Sequence, residues 1–193
     1  MSNLSKTVSD IEDSLNKAYA YFEVWWALDH TGIKNHHAAM NELDYVDFFH
    51  TTITAHYQCM FTSLSKIFDR AEDLSGIKKL KFLLNEAGQG DLVKHLENNL
   101  KIHEPVIKAV KGIRDQSIAH KKGAKNVRQI YSENGVTPNQ IRDLIHELIN
   151  IMITISNKIN FSWSLYATNR FENATLNLLQ KLEHNTYEPY LRQ

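Results

Sequence analysis

Apolar residues recur every three or four positions along most of this 193-residue chain, and that spacing leaves little room for any fold but a helical one. Leu4, Val8, Ile11, Leu15, Ala18, Tyr19, Phe22 and Trp26 form the stripe of a long amphipathic first helix. It is expected to fray before Gly32, with Asn35-His36-His37 as a polar connector. Leu43, Val46, Phe49, Ile53, Tyr57, Met60, Leu64, Ile67 and Phe68 predict a second helix ending near Asp69-Arg70. Ser75-Gly76 opens a shorter helix through Leu80, Leu83 and Leu84, closed near Gly88 and Gly90. A fourth runs from about Asp91 through Leu92, Leu96 and Leu100, where Pro105 kinks or restarts it. Val106, Val110, Ile113, Ser117 and Ile118 then lead toward a stop at Gly123.

Residues 123–136 read as a polar loop. Thr137-Pro138-Asn139-Gln140 is a helix start: an N-cap Thr, Pro at the first helical position, and Gln to complete a capping box. The helix that follows places Ile141, Leu144, Ile145, Leu148, Met152, Ile155, Ile159 and Trp163 on one face. A final short helix passes through Phe171, Leu176, Leu179 and Leu182, and a loose tail is expected from His184. No segment has a useful strand period, and three prolines and seven glycines are too few for a fold of many tight β-turns. The expected fold is all-α: an up-and-down antiparallel bundle of four to six helices, with one domain over residues 1–183 and a C-terminal tail over 184–193.

Composition narrows the possible functions. Cys59 is the lone cysteine, which excludes an intrachain disulfide and a CxxC metal site and fits a reducing cytoplasm. His30, His36 and His37 lack the spaced carboxylate or cysteine that would complete a ligand set, so no metal and no cofactor are expected. The N-terminus has no apolar stretch of signal-peptide type, and the most apolar run, Leu144 to Ile155, is too short to span a bilayer and carries His146, Glu147 and Asn150. The expectation is a cytoplasmic chain with no membrane partner. Adjacent Trp25 and Trp26 cannot share one core-facing direction, which suggests one of them for an interface.

Twenty-two basic residues balance 22 acidic ones, so the protein as a whole has no electrostatic grip on nucleic acid. The local distribution differs. Lys101, Lys108, Lys111, Arg114, Lys121, Lys122, Lys125 and Arg128 face only Glu104 and Asp115 between positions 101 and 128, a local excess of six positive charges. Such a run is commonly a solvated helix face, but this one brackets a heptapeptide with distinctive chemistry, Arg114-Asp115-Gln116-Ser117-Ile118-Ala119-His120. It joins a permanently charged guanidinium to an imidazole that titrates near neutral pH, the means to hold a phosphate and move protons around it. Six residues of ideal helix put Arg114 and His120 about 120° apart with about 9 Å of rise, so they are not same-face neighbours. They can meet at one phosphate if the helix ends near His120, or if a second copy of the site faces the first across a two-fold axis. The residues alone also allow a plainer arrangement, an Arg114–Asp115 helix-end ion pair with His120 as a cap.

The heptapeptide resembles the signature of the HEPN superfamily, in which an Arg followed by a polar residue precedes a His by four to six positions near a helix end. The Ile118-Ala119-His120-Lys121 ending resembles the abortive-infection type U branch. Upstream, Leu64-Ser65-Lys66-Ile67-Phe68-Asp69, a Ser-Gly break and Lys81-Phe82-Leu83-Leu84 are similar to that branch's second and third helices. The resemblance implies a metal-independent endoribonuclease of toxin or phage-defence type. Its alternative is a catalytically silent relative that binds RNA, a nucleotide or a protein. It implies Arg114 on the scissile phosphate and His120 as proton carrier, with the two motifs of a homodimer meeting in one composite site. Asp115, Ser117, Lys121 and Lys122 are the implied RNA-binding or orienting residues; the implied partners are RNA, a second copy and an antitoxin protein. Asp115 stands where Asn is common, and Lys122 stands where some relatives carry a Tyr modified by a partner nucleotidyltransferase.

Overall fold

The structure, a computed structural model, describes residues 2–69, 75–115, 133, 135–165 and 167–186. Among them all regular structure is helical: α1 (Asn3–Trp26), a π-helical segment (Ala27–Gly32), α2 (Ile33–Asn35), α3 (His37–Met40), α4 (Val46–Ile67), α5 (Ile77–Glu86), α6 (Gly90–Ile102), α7 (Glu104–Arg114), α8 (Pro138–Lys158) and α9 (Arg170–Thr186). The all-α class read from the periodicity is therefore the class observed. The chain divides into two compact units, one of Met1–Tyr19 and Phe61–Ala167, the other of Ala20–Met60 and Thr168–Gln193.

In the first unit α6 packs against α5, α7 and α8. Many of the buried side chains are ones the spacing selected, among them Val8, Ile11, Leu15, Leu64, Leu80, Leu84, Leu96, Val110, Ile113, Leu144, Leu148 and Met152; Phe61, Ile149 and Ile151 are buried besides. The turn between α5 and α6 needs a left-handed residue, and Gly88 supplies it at φ 70°. Of the two outcomes expected at Pro105, a kink or a restart, the restart is observed: α6 stops at Ile102 and Pro105 lies in the first turn of α7, where a missing N–H costs nothing. The capping box of α8 is present: Thr137 N–H donates to Gln140 Oε1 at 2.8 Å and Gln140 N–H donates to Thr137 Oγ1 at 3.4 Å.

The last turns of α8 differ from the sequence reading, which carried the helix to Trp163. The helix ends at Lys158 because Asn160 turns left-handed at φ 54°, and Phe161 N–H reaches back to Ser156 O at 2.9 Å, a Schellman closure. Trp163 is still buried, but from an irregular segment; its indole N–H donates to Leu165 O at 2.6 Å. That segment is tied to α1 by Glu12 Oε1, which accepts from both Ser164 N–H (2.6 Å) and Ser164 Oγ (2.7 Å).

The second unit holds the larger departures. Instead of fraying before Gly32, the chain leaves α1 in a π-helical segment, with Ile33 N–H donating five residues back to Leu28 O. This wider turn lets Leu28 join Met40, Phe49 and Leu179 in a buried cluster. Gly32 sits against that cluster. A Cβ there would lie 2.9 Å from Ala27 O, 2.9 Å from Met40 Sδ and 3.0 Å from Leu179 Cδ1. Gly32→Ala should therefore cost about 1–3 kcal/mol, read as a lower urea midpoint with an unchanged slope. Leu43, expected in the second helix, precedes it in a turn and is 92% exposed.

The polar connector is also more ordered than a turn. His36 is buried and its Nδ1 lies 2.8 Å from Glu183 Oε2 of α9, while His30 stacks on Trp26 at 4.2 Å between ring centroids. Trp25 is buried and Trp26 half-buried against Phe22 and His30, so both indoles have intrachain neighbours. Glu23, buried on α1, accepts from Phe171 N–H at 3.0 Å and so places a carboxylate on the first turn of α9, where the helix dipole favours one. That helix runs through Thr186, past the expected start of the tail; residues 187–193 lie outside the described residues. Among the described residues no helix is long and apolar enough to cross a membrane.

Candidate functional site

The direction of Arg114 follows from the two faces of α7. Val106, Ala109, Val110 and Ile113 are buried and define its core side. Projected at about 100° per residue, Glu104, Ile107, Lys108, Lys111, Arg114 and Asp115 fall on the opposite side within about 120°. A helix whose core face is fixed by four buried residues therefore presents Arg114, Lys111 and Lys108 together.

These side chains line one wall of a groove of about 420 Å³ in the first unit. The other wall is the C-terminal end of α4 and the residues just after it, Ser65, Phe68 and Asp69. Ser65 and Phe68 are buried, and Ser65 Oγ donates to Thr62 O at 2.9 Å. Phe68 and Ile107 give the groove an apolar part beside its charged rim.

The charges along the groove are balanced. Lys108, Lys111 and Arg114 stand beside Asp69, Glu104 and Asp115. Lys108 Nζ is 3.0 Å from Glu104 Oε1, and Arg114 Nη1 is 3.4 Å from Asp115 Oδ1. The Arg114–Asp115 contact involves one nitrogen, and the two side chains are 43% and 59% exposed. Exposed pairs of this sort are worth about 0–1 kcal/mol. A phosphate, able to accept two parallel N–H bonds from a guanidinium, competes well against such a contact. Both cations of the last turn of α7, Lys111 and Arg114, also lie where the helix dipole favours positive charge.

Arg114 and Asp115 are thus brought to one groove edge and to each other. At Asp115 the backbone is still right-handed helical, its N–H bonded to Lys111 O and Gly112 O. His120, Ser117, Lys121 and Lys122 lie outside the described residues, as do the expected stop at Gly123 and most of the 123–136 loop. So do Lys125 and Arg128, which supply part of the local positive excess; the described groove carries three cations and three carboxylates. Periodicity did not reveal the groove's second wall, nor that Lys108 and Lys111 share it with Arg114. The helical projection of α7 was the available signal for the lysines. The contribution of α4 depends on tertiary packing.

Comparison with protein families supplies the remaining observation. The AbiU2 model of the HEPN group (HEPN_AbiU2) matches residues 1–176. The chain belongs to the HEPN AbiU2 family. The match spans the first helix through the middle of α9 and includes the whole heptapeptide, so this AbiU2 protein is an abortive-infection HEPN chain over most of its length. No curated protein and no solved structure gives a significant match.

Proposed function

We propose that this AbiU2 protein is a metal-independent endoribonuclease whose reacting groups are Arg114 and His120. The observation that carries the reading is the Arg-to-His heptapeptide inside a HEPN family match, with its Arg held at a groove edge next to two lysines. In this reading Arg114 binds the scissile phosphate and stabilises the charge that develops on its oxygens in the transition state. His120 moves the proton: it takes the one on the ribose 2′-hydroxyl, or donates one to the departing 5′-oxygen. The 2′-oxygen attacks phosphorus, the P–O5′ bond breaks, and the products are a 2′,3′-cyclic phosphate and a 5′-hydroxyl. Asp115 and Ser117 orient the reacting groups or the RNA, and Lys121 and Lys122 hold flanking phosphates without reading sequence.

Two copies in a homodimer would let two such motifs share one composite site, since an isologous interface presents each residue twice. A nuclease of this kind would act as a toxin in abortive infection and would need an antitoxin partner to restrain it. The second reading, a silent RNA- or nucleotide-binding or protein-interaction module, draws on the balanced charge of the groove and the Arg114–Asp115 pair. End-group analysis of RNA incubated with the protein and excess chelator separates the two. Cyclic phosphate and 5′-hydroxyl ends are expected; binding without product favours the silent module.

A further inference from the structure

We propose that the exposed face of α7 is the rail on which a single-stranded substrate lies, with Lys111 and Lys108 holding the successive phosphates next to the one on Arg114. The inference rests on the nuclease reading of Arg114 and adds two residues and a strand path to it. The three cations are spaced three residues apart, so they follow one oblique ridge that rises about 9 Å from Lys108 to Arg114. A line of cations at that spacing suits a polyanion better than a single phosphate.

The size and lining of the groove select the form of the nucleic acid. At about 420 Å³ it lies near the low end of small-ligand pockets, room for an unstacked nucleotide and not for a duplex. Its apolar part, Phe68 and Ile107, lies beside the cationic ridge, where a base splayed from a single strand would be covered. Neither residue carries a hydrogen-bonding group in its side chain, so base contact there is tolerant of sequence. Glu104 sits on Lys108 in an exposed pair at 3.0 Å that a phosphate can displace.

The test uses the full chain carrying His120→Ala, so that RNA is retained, with a fluorescent ten-nucleotide oligouridine as probe and the same strand annealed to oligoadenosine as control. Each phosphate contact on a single strand contributes about 0.7 to the slope of log affinity against log salt. Lys108→Ala with Lys111→Ala should lower that slope by about 1.4 and weaken binding at least about tenfold, while Lys108→Arg with Lys111→Arg should keep the slope. The arginine pair covers the case in which the alanine pair impairs folding, which thermal unfolding will show. An unchanged slope in a folded alanine pair overturns the rail and leaves the nuclease reading in place, and so does duplex binding as tight as single-strand binding. A loss of slope in the arginine pair as large as in a folded alanine pair also overturns it. A wild-type chain that neither binds nor cleaves RNA overturns both.

Discussion

Alanine in place of Arg114 should lower RNA cleavage by about 10²–10³-fold, the usual cost of removing one group that stabilises developing transition-state charge. The unfolding midpoint should hardly move. The Arg114 side chain is 43% exposed, and its contact with Asp115 is a single 3.4 Å approach, so little stability is lost with it. Alanine is also the better helix former at the last position of α7. Binding should weaken along with turnover, because the guanidinium holds the phosphate before as well as during reaction. Lysine at the same position should recover only part of the loss, since it lacks the planar fork that grips two oxygens. Gel-based cleavage of a labelled RNA and thermal unfolding of the same preparations read both effects.

The neighbouring residue should behave in the opposite way. Ile113 is fully buried on the core side of α7. Ile113→Ala removes its outer carbons and leaves a cavity, a cost of about 2–5 kcal/mol. Urea unfolding should show this as a lower midpoint. Cleavage measured well inside the folded range should fall far less than in Arg114→Ala, because the exposed face of the helix keeps its side chains. Adjacent positions with opposite signatures, one kinetic and one thermodynamic, follow directly from the two faces of one helix. If Ile113→Ala left the midpoint unchanged, α7 would be turned differently from the arrangement described here, and Arg114 would no longer be fixed at the groove.

The legible parts of this fold are those in which one local rule decides the outcome. The stripe from Val8 to Tyr19, the Thr137–Gln140 box and the restart at Pro105 each follow from spacing or capping chemistry within a few residues. The departures arise where distant groups decide. Nothing local to Ala27–Gly32 announces a π-helical turn; it forms where Gly32 lies against Met40, eight residues on, and Leu179, far away in sequence. Trp163 keeps the helical register of α8 but leaves the helix, because Asn160 can take a left-handed turn and Glu12 holds Ser164. Leu43 matches the period of α4 yet lies outside it, since a period does not mark where a helix starts.

The candidate site divides along the same line. Arg114 and its polar neighbour stood out because their chemistry is unusual within seven residues. Lys108 and Lys111 registered only as part of a charge excess, though their positions on α7 group them with Arg114. Phe68 and Asp69 directly follow a helix 22 residues long, α4, that ends close to α7 in space and not in sequence. Of the groove's three carboxylates, Glu104 and Asp115 registered within the charge run, and Asp69 only as the end of a helix.

The nuclease reading stands or falls on one measurement: total RNA incubated with excess chelator and either the wild-type chain or His120→Ala, with fragment ends analysed. It predicts fragments bearing 2′,3′-cyclic phosphate and 5′-hydroxyl ends from the wild type, and intact RNA from His120→Ala at the same protein concentration. Equal cleavage by the two chains in clean preparations, or no cleavage by the wild type, would contradict it.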